Sequence, residues 1–217
     1  MLFTSPVGGG ALRLVVDHNG AMAATRDLVL ASGSPRRRRL LESAGFGFRS
    51  IVPETAEIPI DGETPEDMVT RLAEDKARAV AGKVATDAIV LGADTTVVLD
   101  DEAIGKPNGP EDAVEMILRL QGRPHRVLSG YALVTDGAVV ERGIVGSTVT
   151  MKPIARAEAE AYVATGEPLD KAGAYAIQGA AGGDLVADLD GSFSNVMGLP
   201  MEVIAPLLEG WGAPRRR

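Results

Sequence analysis

The sequence predicts an α/β protein, a mixed sheet flanked by helices, and three observations carry that reading. Short runs of strand type alternate with amphipathic helical stretches from residue 28 onward. Two long β-rich runs are joined by an Asp–Gly turn, which adds a hairpin to the strand–helix alternation. The chain has 217 residues, 45% of them apolar, enough for one large domain or for two small lobes sharing a core.

Each element has its own signal. LVLAS (28–32) is a short apolar run of strand type. Ser34 suits an N-cap and Pro35 the first helical position, while Leu40, Leu41 and Ala44 form a stripe that Gly45 stops. FRSIV (48–52) reads as a second strand. TPED (64–67) opens a helix that runs to about Ala81 and ends at Gly82. DAIVLGADTTVVLD (87–100) is a long β-rich run, followed by an acidic turn and IGKP. Residues 110–121 make an amphipathic helix closed by Gly122. HRVLSGYALVTD and VVERGIVGSTVTM pair as a hairpin around Asp136–Gly137. Residues 155–166 are helical. A Gly-rich stretch, KAGAYAIQGAAGGD, then leads to the strand LVADL, a DGS turn and a last helix near 201–209.

Residues 1–24 carry a Gly triplet and lack the basic start of a secretion signal, so they read as a flexible N-terminal extension, with Met22 as an alternative start. Residues 25–211 read as a single domain of two lobes, and 212–217 as a basic, solvated tail.

Composition excludes several function classes. A net charge of −8 and a sequence pI of about 4.9 argue against a general nucleic-acid surface. Without cysteine there is no disulfide, no thiolate metal site and no cysteine nucleophile. Two histidines, His18 and His125, are too few for a His-rich zinc site. A metal would be a hard cation held by carboxylates, magnesium or manganese. No apolar run reaches the roughly 20 residues of a membrane span. A cytoplasmic enzyme is the expectation.

Several residues break the pattern around them. Four arginines, 36–39, fall in a first helical turn, where the macrodipole disfavours cations. At about 100° per residue, Arg37 lies inside the apolar arc and Arg36 at its edge, while Arg38 and Arg39 point elsewhere. Two readings stand: a solvated basic turn, or arginines lining a cleft where helix N–H groups also meet an anion. Lys76 sits near the centre of the buried arc set by Val69, Leu72, Ala73 and Val80, so it pairs with a carboxylate or enters a polar pocket. Asp94 interrupts an otherwise apolar run; it marks an Asx turn at a strand break or a carboxylate with a cation or an open site. Gly92 and Ala93 before it leave room for a ligand or another backbone. Lys106 in GKP returns toward the same end of the sheet, and the Gln178 amide suits reading one edge of a base. His125 reads as structural or superficial.

Arginines, lysines and a carboxylate are what a polyphosphate–metal complex requires. Neither a phosphate-binding G-x-x-x-x-G-K-[ST] loop nor a G-x-G-x-x-G turn after a strand is present, and a water nucleophile is the natural inference.

Six motifs, LASGSPRRRRLL, RLAEDKA, GADTTVV, GKP, DKAGAYAIQG and SNVMGLP, appear in order between residues 28 and about 208. Together they resemble the Maf family of nucleoside triphosphate pyrophosphatases. The resemblance implies an elongated, two-lobed, ITPase-like fold with a central cleft, often dimeric. It also implies divalent-cation-assisted hydrolysis of a nucleoside triphosphate to its monophosphate and pyrophosphate. By position, Asp94 matches the acidic residue assigned as proton acceptor and serves as that base, as a metal ligand or as both. Glu57 matches the second acidic residue, with Asp94 and Glu57 expected to position the cation. Ser32, Arg36, Arg37, Lys76 and Lys106 match the residues lining the phosphate end, and Lys106 takes a catalytic role. The family's usual acidic pair is broken here by Ala56. Arg36, Thr95 and Gln178 are similar to the branch that prefers dTTP and UTP over 7-methyl-GTP. A nucleotide-binding regulator of septum formation with little turnover is the rival reading, and the same chemistry on 7-methyl-GTP a second alternative.

Overall fold

The computed structural model describes residues 14–16, 22–24, 26–58, 60–179 and 183–216. Most of the expected N-terminal extension lies outside these residues; within it, β1 (Leu14–Val16) pairs antiparallel with β2 (Met22–Ala24).

The main sheet is mixed, as the alternation and the hairpin require. β3 (Leu28–Ala31) lies parallel between β4 (Arg49–Ile51) and β5 (Ile89–Leu99). β7 (Pro124–Thr135), β8 (Ala138–Met151) and β9 (Val186–Asp190) extend it antiparallel on the far side of β5, and β6 (Glu102–Ile104) also pairs with β5. Asp136 and Gly137, at φ 52 and 74, close the β7–β8 hairpin in the conformation that two-residue turns demand.

β5 changes partners along its length. Its ladder with β3 ends at Ala31–Gly92, and its ladder with β6 starts at Ile104–Val97. Among the described residues, 93–96 therefore have a strand neighbour on one side alone, β7. The open edge is the floor of a cleft at the C-terminal ends of the parallel strands, where ligand sites of such sheets form.

The helices follow their sequence signals. Ser34 caps α1 (Pro35–Ser43) by accepting from the Arg37 N–H, and Thr64 caps α2 (Pro65–Ala81) by accepting from Asp67. α3 (Pro110–Leu120), α4 (Arg156–Val163) and α6 (Met201–Gly210) lie where the apolar periodicity puts them. A four-residue helix, α5 (Phe193–Val196), was not expected and follows the anticipated DGS turn.

α2 lies unusually near the sheet, and two glycines explain it. A Cβ on Gly92 would come within 2.1 Å of the Ala73 carbonyl, and one on Gly130 within 2.2 Å of that of Val69. The space at Gly92 serves helix backbone.

Apolar packing divides in two along β5. Leu30, Leu41, Leu91, Ala93 and Ile204 pack on one side of the break, with Val29, Ala77 and Val90 on the opposite face of the sheet. Val97, Leu99, Ile117, Val163 and Tyr175 form the core beyond it. These three clusters thus share one sheet, two on one side of the break and one beyond it.

Arg215 and Arg216 are exposed but held to the body of the protein. Arg215 pairs with Phe46 in a β-bridge, stacks its guanidinium 4.1 Å from the Phe46 ring centre and pairs with Glu209. An aromatic face and a carboxylate hold a cation that composition alone assigns to water.

Candidate active site

The cleft has a volume of about 1290 Å³, above the roughly 300–1,000 Å³ of ordinary small-molecule pockets. All six motifs reach it: Ser32 to Arg37, Leu72 and Lys76, Asp94 to Val97, Gly105 and Lys106, Tyr175 to Gly179, and Val196 to Gly198.

Asp94 sits in an unbroken strand, so the Asx-turn reading fails. Its side chain faces α2, where Lys76 Nζ lies 2.5 Å from Oδ1. The same ammonium lies 2.6 Å from Glu57 Oε1. Lys76 is 7% exposed and Asp94 9%, whereas half of the Glu57 side chain meets solvent. A buried lysine and a buried carboxylate each require the other. Burial pushes the Glu57 carboxyl up, but the Lys76 hydrogen bond and charge, helped by Lys106 and Arg37, outweigh it and hold the group below its ordinary value. The exposed 52–58 loop carries Glu57 after β4.

On the other face of β5, Arg37 reaches in from α1. Its Nε donates to the Gly198 carbonyl at 2.8 Å, Nη2 to Thr95 Oγ1 at 3.1 Å and Nη1 to Ser32 Oγ at 3.3 Å. Ser32 Oγ also accepts from the Ser34 N–H. Burial lowers the Arg37 pKa against the opposing pull of Asp94, yet a guanidinium stays charged. The Thr95 hydroxyl is engaged by Arg37, Ser129 and Gly198.

Arg36 lies at the cleft edge and pairs at 3.3 Å with Asp170, from the opposite wall. Arg39 also borders the cleft, contrary to the helical-wheel reading, because the cleft extends over the exposed side of the first turn. Lys106 lines the cleft after β6, and among the described residues no carboxylate lies within ion-pair distance of it.

Gln178 is exposed at the cleft, on a loop that two tyrosines anchor. Tyr162 Oη accepts from the Ala176 N–H at 3.1 Å, and Tyr175 Oη lies 2.7 Å from His125 Nε2. His125 is buried, and burial lowers its pKa to about 4, so the ring is neutral and structural.

Sequence reasoning passed over Asp170, Ser129 and Gly198. Asp170 and Gly198 lie in quoted motifs; Ser129 had no signal beyond a hydroxyl in an apolar strand.

Among the described residues, no three His, Asp or Glu side chains gather as a metal cage. No described helix is long and apolar enough to cross a membrane.

Residues 27–211 match the family described as Maf-like protein. The chain belongs to the Maf family. A dTTP/UTP pyrophosphatase of Geobacter sp. strain M21 is 48% identical over 189 residues, which cover 86% of this chain and 96% of that protein. Similarly named proteins of Methylococcus capsulatus and Desulfitobacterium hafniense are 49% and 45% identical, covering 85% and 86% of this chain and 91% and 86% of their own. Among solved structures, a nucleoside-triphosphatase / dITP/XTP pyrophosphatase of Mycobacterium abscessus overlaps 59% of this chain and 75% of its own at 18% identity and a TM-score of 0.37, too loose a likeness to argue from. In this Maf protein, then, the six motifs are one site seen from six places in the chain.

Proposed function

We propose that the protein hydrolyses a nucleoside triphosphate, dTTP or UTP, to the nucleoside monophosphate and pyrophosphate in the cytoplasm. The observation that carries this is the open edge of β5, which joins a Lys76-bridged carboxylate pair to an arginine held, among the described residues, by neutral groups. The dTTP/UTP pyrophosphatase names of relatives at 45–49% identity support the substrate class.

A divalent cation fits the donor set. Magnesium is commonly held by one or two carboxylates, with phosphate oxygens and water completing its shell. Asp94 and Glu57 already converge on one cationic point, now filled by the Lys76 ammonium, and would be its protein ligands. Bound there, magnesium or manganese would neutralise phosphate charge and lower the pKa of a coordinated water.

The chain's own residues do the rest. Arg36, Arg37 and Lys76 hold the β- and γ-phosphates, with the α1 N-terminus adding N–H donors. Asp94 takes the proton of a water that attacks the α-phosphorus; the new P–O bond forms as the bond to the bridging oxygen breaks. Pyrophosphate leaves, and Lys106 stabilises the charge left on it. Gln178 meets the amide-like edge of uracil or thymine.

Pyrophosphate release from dTTP, UTP, CTP, 7-methyl-GTP and the common purine triphosphates, with and without magnesium or manganese, tests the reading. Metal-dependent release favouring dTTP and UTP is expected. Release from another nucleotide removes the role of Gln178; binding without any release favours the regulator.

A further inference from the structure

The turn from Ser192 to Gly198 holds part of the SNVMGLP motif, and its backbone meets Arg37 twice. Directly, the Gly198 carbonyl accepts from Nε at 2.8 Å. Indirectly, Arg37 Nη2 reaches Thr95 Oγ1, which lies 2.8 Å from Ser129 Oγ, and Ser129 Oγ lies 3.1 Å from the Asn195 carbonyl.

A guanidinium only donates and a carbonyl only accepts, so the proton direction along this chain is fixed. Arg37 donates to Thr95, Thr95 to Ser129, and Ser129 to Asn195, with the 3.3 Å contact from Thr95 to Gly198 as a weaker second acceptor. Both terminal carbonyls belong to one turn. Asn195, fully buried, ties that turn to the sheet through Nδ2, which donates to the Val127 carbonyl at 3.0 Å and to Ser147 Oγ at 2.9 Å. Gly198, at φ 111, takes a conformation that a side chain would strain.

Of the five guanidinium N–H groups, Gly198, Thr95 and Ser32 engage three, which leaves one on each terminal nitrogen without a partner among the described residues. Free donors on both terminal nitrogens of one guanidinium suit phosphate oxygens. We propose that the 192–198 turn is a clamp that presets Arg37 for the β,γ-diphosphate, with Ser129 and Asn195 as positioning residues acting through it. The proposal rests on the pyrophosphatase reading for its ligand. Its logic is that a side chain already ordered loses little freedom on binding.

Calorimetric binding of inorganic tripolyphosphate and of dTMP, with magnesium, separates a clamp from a scaffold. Ser129→Ala is expected to weaken tripolyphosphate about tenfold while leaving dTMP within about twofold, because dTMP lacks the two distal phosphates. Adding Arg37→Ala should then cost nothing beyond Arg37→Ala alone. Should Ser129→Ala fail to fold, Ser129→Cys, close in size but a weak hydrogen-bonding partner, must show the same selective loss. Unchanged tripolyphosphate binding, equal loss of both ligands, or additive effects would each overturn the clamp. If the wild type releases no pyrophosphate yet the selective loss appears, the pyrophosphatase reading falls and the clamp stands.

Discussion

Asp94 and Thr95 are neighbours on β5, yet the two faces of the strand treat a cation in opposite ways. On the α2 face, Lys76 sits between Asp94 and Glu57, so its charge is more than cancelled. On the α1 face, Arg37 is held by two hydroxyls and a carbonyl, which fix its position and leave its charge intact. The first arrangement gathers negative charge where a divalent cation would sit; the second keeps positive charge for phosphate. A triphosphate–metal complex needs both within one cleft. The partner change along β5 supplies them, because residues 93–96 face both sides without a neighbouring strand on one edge.

Neutralising Asp94 attacks the comparison most strongly. Asp94→Asn keeps the shape, leaves Lys76 its contact with Glu57 and removes the proton acceptor. Pyrophosphate release is expected to fall by about 10³-fold, with the melting temperature within a few degrees of wild type. Near-wild-type turnover would take Asp94 out of the chemistry.

Removing the cation from the same face affects stability more than shape. Lys76→Met is expected to cost about 3 kcal/mol in urea unfolding, since it leaves the buried Asp94 carboxylate uncompensated. The Lys76→Met/Asp94→Asn double variant should recover most of that loss while staying inactive. A double variant as unstable as the single one would mean that Lys76 acts by packing rather than by charge.

How far the site was legible depended on whether a residue contradicted its own neighbourhood. Lys76 did so on a helix face, Asp94 in an apolar strand and Arg37 in an apolar arc, and all three line the cleft. β3, β4, β5, β7, β8 and β9, the β7–β8 hairpin and the five longer helices followed local periodicity, cap residues and turn residues, whereas β1, β2 and β6 did not. What stayed hidden was carried by long-range partners. Gly198 meets Arg37 across 161 positions, and Asp170 meets Arg36 across 134. Ser129 looks like any hydroxyl in a strand until Thr95 lies beside it. α5 is one turn long, too short for periodicity to register. Arg215 reads as solvated until Phe46 presents its ring.

The smallest expected effect sharpens the comparison within the α2 face itself, where the two carboxylates are unequal. Glu57 holds Lys76 from a half-exposed position, Asp94 from a buried one. Because Lys76 holds the folded-state pKa of Glu57 below its ordinary 4.5, the stabilisation is present above that value and lost as pH falls through the folded one. Glu57→Gln should therefore cost less than about 1 kcal/mol at pH 7, given the solvent screening of the pair, and the deficit should close as pH falls through the lowered folded-state value. Urea midpoints for both proteins at pH 7 and in mild acid measure it. A loss at pH 7 as large as that of Lys76→Met would make Glu57 the principal partner of the ammonium. Asp94 would then be the carboxylate freer to turn toward a metal or water, and the division of labour on this face would be reversed.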